Sequence, residues 1–135
     1  MRYLIVLFFI FLQANCTEKR DEVAIQYQKL MKVHDEAMLL DLQMVELKDS
    51  FNQRIATLSD DPMFDSLRRI YKSQLYKIQI DRNQMFDWMH AFNQPLDTTP
   101  AQKAKLYLLD QTNQMDSIYA HMSRNIAISK KILNN

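Results

Sequence analysis

Two short stretches hold the side chains best suited to chemistry. His34-Asp35-Glu36-Ala37-Met38 combines an imidazole, two carboxylates and a thioether. Met85-Phe86-Asp87-Trp88-Met89-His90 adds two thioethers, a carboxylate, an indole and a second imidazole. On a helix His34 and Met38 share one face because they are four apart, and Met85 and Met89 do the same. Thioether and imidazole donors select a soft ion such as Cu(I) over magnesium or calcium. His34, Met38, Met85 and Met89 therefore form a candidate Cu(I) site, with Trp88 placed to shield it from water. The same side chains have a plainer reading as core, since methionine fills irregular gaps and packs well against aromatic rings. The HExxH metalloprotease pattern is absent, because Met38 stands where its second histidine belongs.

Asp81 is the other residue with chemical potential. It falls on an otherwise apolar seam, where a carboxylate is costly unless paired. His34, Asn113 or a hydroxyl is the expected partner, and a lone polar residue of this kind can fix helix register. Paired with His34 it would be the start of an acid–base site, but the sequence marks no nucleophile and no third group. His90 lies near the end of its helix, where a cationic ring complements the dipole. His121 is too far along the chain to join the other histidines, so a zinc site built from all three is not expected.

Long helices must position these groups. The chain has 135 residues, 47% of them hydrophobic and 24% charged, and no glycine at all. One domain is the expectation at this length. The lack of glycine rules out Gly-rich phosphate loops and dinucleotide fingerprints. From Lys19 to Thr57, Leu30, Val33, Ala37, Leu40, Met44, Leu47, Phe51 and Leu58 draw one apolar seam, widened by Met38, Leu42 and Val45. Asp61-Pro62 then reads as a cap followed by a first-turn proline. Phe64, Leu67, Tyr71, Gln74, Ile78, Asp81, Met85, Trp88 and Phe92 carry a heptad-like spacing through a second helix, Pro62 to about Asn93.

Thr99-Pro100-Ala101-Gln102 has a capping-box pattern and opens a third helix, Pro100 to about Leu133. Leu108, Leu109, Met115, Ile118, Tyr119, Met122, Ile126 and Leu133 form its apolar side. That side is more mixed than the second helix's, as expected of a wetter face or a surface for a protein partner. Short connections make neighbours antiparallel. The fold class expected is all-α, an up-down-up antiparallel three-helix bundle with long helices over residues 20–135. A pivot near Asp60 sets His34 level with Met85, and Met38 level with Asp81.

Ahead of this bundle, Met1-Arg2-Tyr3 and the apolar run Leu4 to Leu12 read as a secretory signal peptide, residues 1–15. The run is too short to span ~30 Å of hydrocarbon, which takes about 20 residues. Cys16, the sole cysteine, follows directly and is similar in placement to the lipidated cysteine of bacterial lipoproteins. Ala14 suits such a signal, whereas Gln13 and Asn15 depart from it and Leu12 comes one position early. Residues 16–19 would be a short tether. A single cysteine excludes an intrachain disulfide and a multi-thiolate zinc site. Formal net charge is +1, with Lys19-Arg20, Arg68-Arg69 and Lys130-Lys131 scattered among acids, so no nucleic-acid partner is expected.

His34-Asp35-Glu36-Ala37-Met38 and Asp81 to Phe92 resemble the two signature stretches of small lipoproteins common in Bacteroidetes, some labelled "viral A-type inclusion protein". In that family an HDE-x-M element opens the first helix and a D-x-x-M-x-x-WM-x-x-F element closes the second. His34, Asp35, Glu36 and Met38 match the first; Asp81, Trp88, Met89 and Phe92 match the second, and Met85 and Asp87 also fit. Leu39-Leu40-Asp41 replaces a proline-containing continuation of the motif. The resemblance implies a lipid anchor at Cys16 and a helical bundle, and it brings no biochemical function. The sequence thus points first to a membrane-tethered, periplasm-facing binding or structural module of the cell envelope, without catalysis; a secreted soluble form is the alternative for its location. A Cu(I)-binding protein and an acid–base enzyme are the alternative functions.

Overall fold

The computed structural model describes the backbone of residues 2–134 and the side chains of residues 20–134; Cys16, the expected signal segment 1–15 and the expected tether 16–19 lie outside the residues whose side chains are described. The chain forms α1 (Arg2–Thr57), a single 3-10 turn over Pro62–Phe64, α2 (Asp65–Ala91) and α3 (Ala101–Leu133). The three helices pack on one another as the expected up-down-up bundle, and no strand occurs among the described residues. The parallel pair α1 and α3 makes the most intimate contact, while α2 stands further from both.

Burial follows the seams. Leu30, Ala37, Met44, Leu47 and Phe51 of α1 meet Tyr71, Ile78, Met85 and Trp88 of α2 and Leu108, Met115, Met122 and Ile126 of α3 in one core. Each helix alone is marginal in water, so this shared burial stabilises all three together. The α2 seam is buried without a break from Tyr71 to Trp88, its polar members Gln74 and Asp81 included. Two residues expected inside are outside. Leu42 is 62% exposed and Leu109 46% exposed. Both sit beside seam positions, and a bundle of three helices is too small to wrap that far round each one.

Both reversals are made without glycine, and no described residue has a positive φ. At the first, the Asp61 side chain accepts from the Met63 N–H at 2.8 Å and Pro62 opens the turn. This cap serves the 3-10 turn, and α2 proper begins three residues later than expected, at Asp65. At the second, the expected capping box is not formed. Pro100 is the N-cap of α3 and no side chain caps it, while the Thr99 N–H closes a turn onto the Leu96 carbonyl at 2.9 Å. Helix α2 ends at Ala91, because Phe92 turns to extended backbone with ψ 126° and Pro95 disfavours helix in the residue before it. The Asn93 side chain donates to the Ala91 carbonyl at 2.9 Å, satisfying one of the last open acceptors.

Candidate functional site

The contacts between α1 and α2 fix their register. The Asp41 carboxylate accepts from Arg82 at 2.6 Å and 3.3 Å, the His34 and Trp88 ring centroids lie 5.9 Å apart, and Phe51 meets Tyr71 at 5.5 Å. The reversal is therefore centred on Asp61, the cap of the Pro62 turn, rather than on Asp60. His34 sits level with Trp88, one turn beyond the expected Met85, and by the same offset Met38 is level with Met85 rather than with Asp81. Met85 is fully buried and Met38 and Met89 are half-buried against the core.

His34 does not reach Asp81. Its Nδ1 lies 3.1 Å from the Asp35 carboxylate, its immediate neighbour, and its ring lies against the Trp88 indole. Asp81 instead faces α3, where the Asn125 side chain donates to its carboxylate. Of the partners expected for Asp81 none is used: His34 belongs to the other interface and Asn113 is exposed. The two groups of the acid–base alternative thus lie in different helix interfaces.

Polar contacts continue along α2–α3. Gln74 donates to the Ser129 hydroxyl at 2.9 Å and to the Asn125 carbonyl at 3.3 Å. Gln74, Asp81 and Ser129 are all buried, so these bonds satisfy groups that would each cost about 1–3 kcal/mol if left open. Towards the α2–α3 connection the same interface opens. Ala91, Ala104 and Ser117 are too small to fill it, and a groove of about 930 Å³ remains between the helices. Trp88, Tyr107 and Ile118 supply its apolar wall, and Gln84, Gln111 and Gln114 supply carboxamides.

Trp88 is the unusual element of that wall. It is 7% exposed and belongs to a run of rings: His34 to Trp88 at 5.9 Å, Trp88 to Phe92 at 5.1 Å, and Phe92 to Tyr107 at 6.1 Å. Tyr107 is tied down in turn, its hydroxyl accepting from the Asn93 N–H at 3.0 Å. Two rings lie against the indole, yet its Nε1 donor is buried with no hydrogen-bond partner among the described residues. Buried polar groups are nearly always paired, so this covered donor is an exception within the core.

His121 lines this groove and is exposed, while His90 is exposed at the end of α2. No cluster of three or more His, Cys, Asp or Glu side chains able to hold a metal occurs among the described residues.

Two features escaped the sequence reading. The Asp41–Arg82 ion pair is largely covered, with side-chain exposures of 9% and 18%. Its signal was present, since Asp41 is four after Ala37 and three before Met44 and so falls on the seam. The groove had no such signal, because it depends on how far apart two helices stand. Helix α3 does not carry one continuous apolar patch: exposed Leu106 and Leu109 lie near its start and Ile128 near its end. Lys103, Tyr107, Gln111 and Gln114 of α3 line the groove instead. No described helix is long and apolar enough to cross a membrane. No family model matches this chain, and no curated protein or solved structure matches it.

Proposed function

We propose that the chain is a binding module of the cell envelope, held to a membrane through lipidated Cys16, that receives a partner in the α2–α3 groove and performs no catalysis. The observation that carries this reading is the open groove of about 930 Å³ between α2 and α3, with Trp88, Tyr107 and Ile118 in its wall. The position of the groove supports the tether. Arg20, the first residue whose side chain is described, donates to the Asp97 carbonyl at 2.6 Å, so this part of α1 lies beside the α2–α3 connection and next to the groove. An anchor at Cys16 would hold the groove close to the membrane surface. The resemblance of the two sequence motifs to Bacteroidetes lipoproteins supports the same assignment.

Photocross-linking in cells tests the proposal. A benzophenone amino acid in place of Gln114, in the groove wall, is expected to trap a discrete adduct. The same probe in place of Tyr76, exposed on the outer side of α2, is expected to trap none. No adduct at Gln114, or the same adduct from both positions, would overturn the groove as the binding surface. The anchor has its own readout: the membrane-extracted chain should carry a diacyl or triacyl mass at Cys16, and a clipped soluble product would contradict it.

A second reading, Cu(I) binding, is favoured by the placement of His34, Met38, Met85 and Met89 at one end of the α1–α2 interface, with Trp88 against the imidazole. Soft donors without thiolate suit a cuprous ion. Anaerobic titration should then show one equivalent bound per chain, lost in His34→Ala and in Met85→Ala. Titration without stoichiometric binding would remove this reading.

A further inference from the structure

We infer that the end of the bundle holding the α2–α3 connection docks on the lipid bilayer, with Leu96 entering the boundary between headgroups and acyl chains; this rests on the anchor at Cys16. That anchor leaves little slack. Only residues 17–19 separate Cys16 from Arg20. The steps from Cys16 to Arg20 cover about 6 Å as helix and at most about 14 Å fully extended. Arg20 in turn donates to the Asp97 carbonyl at 2.6 Å, so the connection lies level with the start of the tether. Lipid on Cys16 therefore brings the connection against the membrane surface. The Pro62 turn lies at the other end of the bundle, about 55 Å along α1 at ~1.5 Å per residue.

Leu96 is held outward at that end. It is 73% exposed, as much as any large apolar side chain among the described residues. Leu96 lines a recess of about 260 Å³ whose walls also include Val23, Tyr27, Pro95 and Leu108. It is not folded into that recess, and so forgoes a burial that favours leucine by about tenfold or more. A loose loop is not the reason. The Thr99 N–H closes onto the Leu96 carbonyl at 2.9 Å, Arg20 holds the Asp97 carbonyl, and the Asn93 N–H donates to the Tyr107 hydroxyl at 3.0 Å. The connection is braced on both sides of the leucine. Ile25 and Leu106 are also exposed within two turns of this end, and they reach headgroup level once Leu96 is about 5–10 Å deep.

Charge makes this contact an apolar one. Around the tether and the connection, Lys19, Arg20, Lys103 and Lys105 are balanced by Glu18, Asp21, Glu22 and Asp97. Arg20 faces Asp97 at 3.9 Å and Lys105 faces Glu22 at 2.6 Å, so two of the cations are already answered. A surface that recognised anionic headgroups would carry a basic cluster beside the tether. Here the acyl chains supply the affinity and Leu96 sets the tilt, standing the bundle on the membrane with the groove opening beside the headgroups.

The test uses the full acylated chain in phosphatidylcholine vesicles, spin-labelled on one introduced cysteine at a time. A lipidated Cys16 has no free thiol to take the label. Leu96→Cys, Leu42→Cys and Met63→Cys place it at the connection, on the outer face of α1 and at the far turn, all exposed positions. Collisions with oxygen, which concentrates in the bilayer, and with a water-soluble nickel chelate report depth. The Leu96 label is expected to favour oxygen and the other two nickel, equally with and without phosphatidylglycerol. A label at Thr98→Cys should also contact lipid. Adding Leu96→Asp should lower its docked fraction about tenfold, while thermal unfolding stays unchanged because Leu96 is outside the core. Nickel access at Leu96 equal to that at Met63 overturns the inference. So does lipid contact at Leu42, which means a bundle lying flat, or contact confined to the anionic vesicles. If the extracted chain still carries its acyl mass in those cases, the anchor stands and only the docking is refuted. Without that mass both fall.

Discussion

Arg82→Ala is expected to destabilise the bundle by about 3 kcal/mol, the low end of what removing one partner of a covered ion pair costs. The loss comes mainly from what stays behind. Asp41 has a side chain only 9% exposed, and without Arg82 its carboxylate would be held among Ala37, Met44 and the α1–α2 interface with no cation to answer it. Arg82 does a second job, because its guanidinium lies 5.8 Å from the centroid of the Phe86 ring and covers it. Chemical denaturation should therefore show a lower midpoint with an unchanged slope, and the melting temperature should fall by roughly 10 °C. Arg82→Met combined with Asp41→Leu should recover most of the loss, since an apolar pair of similar volume needs no partner. An equal loss in the double variant would mean that the pair's charges are not what the single variant exposes.

Phe51→Ala is expected to cost about 3–5 kcal/mol, the largest effect of any single truncation in this core. The ring is fully buried at the end of the bundle opposite the groove, and it contacts Tyr71 at a centroid distance of 5.5 Å and a 55° tilt. Leu47 lies one turn before Phe51 on α1 and Ile55 one turn after it, both part of or packed against the same core. Phe51→Leu, which keeps most of the volume, should cost about 1–2 kcal/mol. Equilibrium unfolding of the three proteins checks the order. Binding in the groove should be unaffected by Phe51→Leu, because the site lies at the other end of α2 and α3.

The helices were legible because their seams are long and regular. In α2 every position from Tyr71 to Trp88 that the heptad spacing marks is buried, including Gln74 and Asp81. Their partners were not legible, since Ser129 and Asn125 are brought to them by the return of α3 and by no local pattern. Register was the weakest inference. The contacts put the pivot at Asp61, about a residue later than expected, and because pairing shifts by twice the pivot this moves His34 nearly a helical turn along α2, from Met85 to Trp88. The expected His34–Asp81 pair failed for this reason and for a second: Asp81 faces α3, not α1. Asp41 sat on the α1 seam in plain view, but its acceptability there depends on Arg82, which lies across an interface. The groove is a property of helix separation, set by Ala91, Ala104 and Ser117 together, and no single stretch of sequence announces it.

Everything proposed for the groove depends on how Trp88 is held. Nuclear magnetic resonance of the labelled full chain in detergent reads this from one signal, because the chain has a single indole. The account predicts contacts from the indole ring to the His34 and Phe92 rings, together with an indole N–H proton that exchanges slowly because it is covered. Contacts from His34 to Met85 in place of Trp88, or an indole proton exchanging as fast as one in open solvent, would contradict it.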